Sequence, residues 1–159
     1  MSKGLAIVTG ASTGIGFELA KLAAQDGYDL IVAADEARID TAAREVEGFG
    51  TRVDAVEVDL STIEGVDTLL AAAAGRPIDV LIANAGISKG GAFLDQDVAS
   101  WQHSIGTNVT GTVYPLQRVL RNMVACGAGK VLVTGSIVGY IPGPFNAIYN
   151  ATKAFIDNF

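Results

Sequence analysis

Three side chains in the last quarter of the chain have the types and spacing that acid–base chemistry requires. Tyr149 and Lys153 are four residues apart, so on a helix they share one face. A phenol has an ordinary pKa of about 10 and is a poor base at neutral pH. A neighbouring ammonium favours the phenolate and lowers that pKa, which would let Tyr149 exchange a proton near physiological pH. Ser136, thirteen residues before Tyr149, could hydrogen-bond the same substrate oxygen.

The Tyr-x3-Lys spacing is weak support when taken alone, because an ordinary amphipathic helix with an exposed lysine and a half-buried tyrosine has the same pattern. The chemical interpretation therefore depends on these residues occurring together, and in order, with a glycine-rich segment near the start of the chain.

That segment runs from Thr9 to Gly16 and reads Thr-Gly-Ala-Ser-Thr-Gly-Ile-Gly. Gly10 allows a tight turn, Gly14 lets the backbone approach a pyrophosphate, and Gly16 lets the following helix pack on the sheet. The amino end of that helix offers free N–H groups to an anion. A plain strand-to-helix turn is the alternative, but the position after the first strand favours a dinucleotide site.

Short apolar runs that alternate with helical patterns would position these residues. The predicted strands are Leu5–Thr9, Leu30–Ala34, Val53–Val58, Val80–Ala83 and Lys130–Thr134. The predicted helices are Ile15–Gln25, Arg38–Glu47, Ser61–Ala74, Trp101–Ala125 and a last one from Ala147 onward. Continuous Val/Ile/Leu/Ala strands are typical of parallel sheets covered on both faces. The chain is therefore predicted to be α/β, a Rossmann-like doubly wound parallel sheet with helices on both faces. It would form a single domain over residues 1–159, truncated after strand five and the following helix.

Some details of the helices are predicted as well. Ser61, followed by Glu64, indicates a capping box. His103 has no Cys, Asp or Glu partner at ligand spacing and is interpreted as a surface or cofactor-neighbouring side chain. Apolar residues that recur along the long helix are predicted to pack on the sheet; these are Ile105, Val109, Val113, Leu116 and Leu120.

Composition argues against several classes of protein. The 159 residues carry 11 basic and 17 acidic side chains, which argues against a nucleic-acid partner. No apolar run approaches the roughly 20 residues of a membrane span and no signal peptide is recognisable, so no membrane partner is expected and a cytoplasmic location is predicted. One histidine and one cysteine do not form the usual zinc site, so no metal is expected.

The order of these motifs resembles that of the short-chain dehydrogenase/reductase family over the whole chain. Thr9–Gly16 resembles the cofactor loop of the family, and Asn84-Ala85-Gly86 resembles its Asn-Ala-Gly segment. Asp59 matches the acidic residue that meets the adenine ring in many members. The four catalytic positions of the family are matched by Asn108, Ser136, Tyr149 and Lys153.

The resemblance implies hydride transfer between a nicotinamide cofactor and a small-molecule alcohol or carbonyl substrate. Tyr149 would be the general acid in reduction and the base in oxidation, while Lys153 would lower its pKa and hold the ribose hydroxyls. Ser136 would orient the carbonyl, and Asn108 would hold a water that links Lys153 to solvent. The residues implied in cofactor binding are Gly10, Ser12, Thr13, Gly14, Ile15, Gly16, Asp35, Asp59, Leu60, Asn84, Ala85, Gly86, Tyr149 and Lys153. Plainer roles stay open for Asn108, as a helix residue bonding its own backbone, and for Asp59, as a turn cap.

The end of strand two bears on the choice between NAD and NADP. It reads Val-Ala-Ala-Asp-Glu over residues 32–36, with no basic side chain. A 2′-hydroxyl favours a carboxylate there, whereas a 2′-phosphate favours arginine or lysine. NAD is therefore predicted, although Arg38, one turn later, keeps NADP possible.

Two expectations concern substrate and partners. The apolar loop over residues 140–145 lies between Ser136 and Tyr149 and predicts a partly apolar substrate. In the resembled family the long helix and the Tyr-x3-Lys helix commonly pair across a two-fold axis, so a homodimer or homotetramer is implied.

The chain departs from the resembled family at its carboxyl end, where members continue into a sixth strand and a substrate lid. One explanation is a fragment of a longer enzyme, which the intact visible sites favour. The alternative is a catalytically incompetent chain that only binds a dinucleotide. A non-enzymatic Rossmann-like regulator is a third hypothesis, but it leaves Ser136, Tyr149 and Lys153 unexplained.

Overall fold

Five strands alternate with six α-helices in the computed structural model, which describes residues 2–159; residue 1, the first of the predicted domain, lies outside this range. The strands are β1 (Leu5–Thr9), β2 (Asp29–Ala34), β3 (Val53–Glu57), β4 (Val80–Ala83) and β5 (Lys130–Val133). The helices are α1 (Gly14–Gln25), α2 (Arg38–Glu47), α3 (Ile63–Ala71), α4 (Val98–Ile105), α5 (Gly111–Cys126) and α6 (Ala147–Asn158).

All strand pairs are parallel, and the strand order is β3-β2-β1-β4-β5. In the central register, Val8 of β1 lies between Val32 of β2 and Ile82 of β4. The order reverses direction between β1 and β4, which is the switch point at which open α/β sheets bind ligands. The predicted Rossmann-like parallel sheet is therefore confirmed.

The central strands are buried because helices cover both faces of the sheet. Alternate residues contribute to two apolar clusters, with Val8 and Val32 in one and Ile7 and Ile31 in the other. This arrangement explains why β1 and β2 are almost continuously apolar in sequence. In the range 2–159, no helix has both the length and the apolar character needed to cross a membrane.

The predicted helix over residues 101–125 is confirmed within a continuous helical segment over residues 98–126, but the uniform α-helical periodicity expected of it is wrong. A π-helical turn, Gly106–Thr110, separates α4 from α5, and a wider turn rotates the helix faces relative to one another. Of the predicted core stripe only Leu116 is fully buried, whereas Ile105 and Leu120 are exposed. The face that packs inward instead includes Thr112, Leu116, Val119 and Met123.

The predicted capping box at Ser61 and Glu64 is also wrong. Thr62 is the N-cap of α3, and its hydroxyl accepts the N–H of Gly65 at 3.0 Å. The N–H of Ser61 is instead donated to the Asp59 carboxylate at 2.8 Å, so Ser61 belongs to the turn before the helix.

Candidate active site

The segments that follow the five strands meet at one edge of the sheet, because all five strands run in the same direction. They supply the glycine loop after β1, Asp35 and Glu36 after β2, Asp59 after β3, residues 84–87 after β4, and Ser136 after β5. The sequence-predicted site residues therefore come from separate elements and gather at the edge where ligands of such sheets bind.

The glycine loop has the backbone that an approaching pyrophosphate would require. Gly10 and Gly14 have φ values of 66° and 57°, a region that favours glycine. A Cβ on Gly16 would collide with the carbonyl oxygen of Gly10, whereas a Cβ on Gly14 would meet no atom within 4 Å. Thr13, the N-cap of α1, makes no side-chain cap, so the helix amino end keeps its free N–H groups for an anion. The loop thus fits a dinucleotide.

Hydrogen bonds from β4 and β5 hold this loop in place. The Asn84 amide donates to the carbonyls of Thr9 and Gly10, at 3.1 and 3.3 Å, and accepts from the Thr134 hydroxyl at 2.9 Å. The Thr9 hydroxyl accepts the N–H groups of Asn84 and Ala85. Asn84 therefore supports the loop from behind, while Ile15 is largely exposed on α1.

A cleft opens beside the glycine loop. Its lining consists of Gly10, Ser12, Thr13, Ala34, Asp35, Glu36, Val58, Asp59, Leu60, Ala85, Gly86, Ile87 and Thr107. Most of the predicted cofactor residues are among them, whereas Gly14, Ile15, Gly16 and Asn84 flank or support the cleft. Glu36 was not singled out from the sequence, yet its carboxylate accepts the Ser12 hydroxyl at 2.6 Å. In the sequence, the only indication of a role for Glu36 was that two acidic residues, Asp35 and Glu36, follow β2.

Asp59 lies at the rim of this cleft. One carboxylate oxygen, Oδ1, accepts the N–H of Ser61 and lies 3.3 Å from Nε2 of His103. Partial burial acts to raise the pKa of Asp59, but the hydrogen bonds from Ser61 and the interaction with His103 outweigh it and hold that pKa below its ordinary value. The carboxylate is therefore an ionised acceptor at neutral pH.

Tyr149 and Lys153 lie on α6, as the spacing predicted. The ammonium of Lys153 is buried, donates to the carbonyl of Thr134 at 2.7 Å, and lies 5.9 Å from the centre of the Tyr149 ring. Burial lowers the pKa of Lys153, and the nearby carboxylate of Asp157 opposes that shift. The tyrosine and the buried ammonium therefore lie side by side on one face of α6.

Asn108 lies in the π-helical turn, and its side chain is fully engaged. Its amide donates to the carbonyl of Ile87 at 3.0 Å and to the hydroxyl of Thr152 at 2.9 Å, and its Oδ1 accepts the N–H of Ile87 at 2.8 Å. A Cβ built on Gly86 would lie 3.4 Å from Asn108 Oδ1 and 3.6 Å from Lys153 Nζ. Asn108 thus joins the segment after β4 to α6, beside the lysine.

Ser136 begins the 3₁₀ turn Ile137–Tyr140, and its hydroxyl accepts the N–H of Val138 at 3.4 Å. Gly139 packs directly on α6, because a Cβ there would lie 2.9 Å from the backbone N of Ala154 and C of Lys153. The turn that Ser136 begins is therefore seated on the part of α6 that carries Lys153. Within residues 2–159, no group of three or more His, Cys, Asp or Glu side chains is arranged to hold a metal.

Comparisons with a family model and with known proteins agree on one family. Residues 4–159 match the family model described as short chain dehydrogenase. The chain is 35% identical over 157 residues to cis-4-hydroxycyclohexanecarboxylate dehydrogenase of Sinomonas cyclohexanicum, covering 97% of this chain and 63% of that protein. It is 33% identical over 156 residues to a 3-oxoacyl-[acyl-carrier-protein] reductase of Chlamydia pneumoniae, covering 96% of this chain and 63% of that protein.

Solved structures give the same fold. The L-sorbose reductase of Gluconobacter frateurii, in complex with NADPH and L-sorbose, superposes with a TM-score of 0.89 at 31% identity. That match covers 98% of this chain and 61% of the reductase. A bulky-bulky ketone specific alcohol dehydrogenase from Comamonas testosteroni gives a TM-score of 0.88 at 31% identity, covering 98% and 64%. The chain thus spans a little under two thirds of the length of these proteins.

Proposed function

Because this chain belongs to the short-chain dehydrogenase family, we propose that the complete protein transfers a hydride between a nicotinamide dinucleotide and an alcohol or carbonyl substrate. The observation that carries the proposal is the buried ammonium of Lys153, held by the Thr134 carbonyl and 5.9 Å from the Tyr149 ring. A buried cation beside a phenol at the carboxyl edge of a parallel sheet suits acid–base chemistry on a ligand oxygen.

Each of the four matched residues has a distinct part in this proposal. Tyr149 protonates the substrate oxygen in reduction and removes its proton in oxidation, and the ammonium of Lys153 lies beside its ring. Ser136 donates a hydrogen bond to the same oxygen. Asn108 holds the backbone of Ile87 and the hydroxyl of Thr152, the residue before Lys153, through its amide rather than touching substrate. The nicotinamide ring, when bound, supplies or takes up the hydride.

The cleft beside the glycine loop is proposed to hold the adenosine half of NAD. The uncapped amino end of α1 faces the pyrophosphate, and the Asp59 carboxylate accepts a hydrogen bond from the adenine amine. Glu36, whose carboxylate accepts the Ser12 hydroxyl, places a negative charge where the 2′-position of the adenosine ribose would lie. Carboxylates favour a 2′-hydroxyl and repel a 2′-phosphate, so NAD is preferred here even though the sorbose reductase was crystallised with NADPH.

The substrate is proposed to be a small-molecule alcohol or carbonyl compound that is partly apolar. The loop that follows Ser136 exposes the large apolar side chains of Tyr140, Ile141 and Phe145. A hydrogen bond from Gly91 N to Phe145 O, of 2.8 Å, joins this loop to the segment after β4. The loop after Ser136 and the segment after β4 therefore meet beside the end of α6 that carries Tyr149, and one similar structure is described as a bulky-bulky ketone specific alcohol dehydrogenase.

The decisive experiment replaces Tyr149 by phenylalanine in the complete protein. The change keeps the ring and its packing but removes the proton, so turnover falls by about 10²- to 10⁴-fold while NAD affinity stays nearly constant. Lys153→Ala lowers both turnover and NAD affinity, because it removes the charge beside Tyr149 and a cofactor contact together. Tyr28→Phe is the matched control, since Tyr28 is buried just before the amino end of β2. Near-normal turnover by Tyr149→Phe would contradict the assignment.

A second candidate function is dinucleotide binding without turnover, which is favoured by the lining of the cleft beside the glycine loop, because that lining includes neither Tyr149 nor Lys153. The complete protein distinguishes the two: it binds NAD in a calorimetric titration in both cases, but oxidises alcohols only in the first. Binding with no turnover would therefore favour the second.

A further inference from the structure

The only histidine of the sequence contacts the carboxylate proposed above to receive adenine. His103, on α4, places Nε2 3.3 Å from Oδ1 of Asp59, although 44 residues separate them in the chain. Both side chains are partly exposed, so a ligand in the cleft can reach the carboxylate from the open side.

Close backbone packing brings α4 to the turn that carries Asp59. Gly106 lies three residues after His103, and a Cβ there would lie only 2.8 Å from the carbonyl oxygen of Ser61. Gly111 makes a similar approach, at 2.7 Å, to the carbonyl oxygen of Leu60. The turn is therefore clamped against the helices by two glycines, and the distance from His103 to Asp59 does not depend on a mobile loop.

The contact leaves the two carboxylate oxygens of Asp59 unequal. Oδ1 already accepts the Ser61 N–H at 2.8 Å and faces Nε2 of His103. A carboxylate accepts hydrogen bonds but donates none when ionised, so Nε2 must carry the proton in this contact. Two donors on Oδ1 fix the rotation of the carboxylate about its Cβ–Cγ bond and leave Oδ2 to accept from a ligand.

We propose that His103 is a positioning residue for adenine recognition, which orients the Asp59 carboxylate so that Oδ2 receives the exocyclic amine of the base. This inference rests on the proposed function, because it takes the cleft to be the adenosine site. His103 itself touches no ligand and takes no part in proton transfer to the substrate. Its effect is therefore confined to affinity and to the choice of base.

The experiment titrates the 159-residue chain with AMP and with inosine monophosphate, which has a carbonyl in place of the exocyclic amine. The unmodified chain binds AMP more tightly than inosine monophosphate. His103→Leu weakens AMP binding by roughly three- to tenfold, the usual size of one lost hydrogen-bonding partner, and leaves inosine monophosphate binding nearly unchanged. His103→Gln restores the preference, because the glutamine amide can donate from the position of Nε2.

Gln102→Leu is the matched control, since Gln102 is exposed and adjacent on the same helix. Unchanged AMP affinity in His103→Leu would overturn the proposal, as would an equal loss for both nucleotides, which a purely structural role produces. Failure of the unmodified chain to bind either AMP or NAD would overturn the proposed function itself, and with it this inference.

Discussion

Gly14 differs from most other glycines of positive φ in where its missing side chain would point. Its φ is 57° and a Cβ there would meet no atom within 4 Å, so the position is open rather than packed. Gly127, the residue that ends α5, has nearly the same backbone, with φ 67°, and is equally open. The two positions therefore differ in location but not in conformational demand.

Gly14→Ala is expected to weaken NAD binding, whereas Gly127→Ala is expected to leave it unchanged. Both variants lose about 1–2 kcal/mol of unfolding free energy, because alanine disfavours the left-handed region. Only Gly14→Ala places a methyl group where the pyrophosphate approaches, and its NAD affinity falls by about tenfold or more, which is 1.4 kcal/mol. Calorimetric titration and urea denaturation measure the two effects. Equal NAD affinity in both variants would contradict the loop assignment.

Glu36 is expected to set the preference for NAD. Its carboxylate accepts the Ser12 hydroxyl at 2.6 Å at the edge of the cleft. Glu36→Gln keeps the size and the hydrogen bond but removes the charge, so the preference for NAD over NADP falls by roughly tenfold. Glu45→Gln, on the exposed face of α2, leaves it unchanged. The ratio of the dissociation constants for NAD and NADP measures this preference. An unmodified chain that binds NADP more tightly would refute the role assigned to Glu36.

The π-helical turn shows which features of an element a sequence leaves undetermined. The ends of β1–β5 were predicted to within one residue, because continuous apolar runs end abruptly at polar residues or glycine. The turn at Gly106–Thr110 has no such local signal. It coincides with the close packing of Gly106 on Ser61 and of Gly111 on Leu60, and these contacts join residues about 45–50 positions apart. The His103–Asp59 and Asn108–Ile87 contacts were missed for the same reason.

Asn108→Ala is expected to destabilise the fold strongly. The Asn108 amide satisfies both the N–H and the C=O of Ile87 and also contacts Thr152, in a position that is almost fully buried. Its loss leaves the N–H and C=O of Ile87 without these partners, so the free energy of unfolding falls by about 2–4 kcal/mol. Asn122→Ala, at an exposed position of α5, changes it by less than about 0.5 kcal/mol. Urea denaturation measures the unfolding free energy of the two variants. Similar denaturation midpoints for Asn108→Ala and Asn122→Ala would show that Asn108 does not anchor the segment after β4.

At the scale of the whole molecule, the long helical segment over residues 98–126 leaves a stripe of apolar side chains exposed. Ile105, Leu120 and Val124 are exposed at positions that the sequence had assigned, in part, to the core. On α6, Ala147, Ala151 and Phe155 form a second exposed row at four-residue spacing. The sequence predicted that these helices are apolar on one face, but periodicity alone does not distinguish a face buried against the sheet from one that is free to meet another molecule.

We propose that the protein is a homodimer or homotetramer, and we expect the apolar stripe and the exposed row on α6 to form its interface. An isologous interface uses the same patch on both subunits, so one charge introduced on the stripe appears twice and in close proximity. Leu120→Glu is therefore expected to convert the associated species into monomers at micromolar concentration. Phe49→Glu, which adds the same charge at an exposed aromatic between α2 and the edge strand β3, leaves the association intact. Analytical ultracentrifugation resolves the species, and an unmodified chain that sediments as a monomer would exclude this interface.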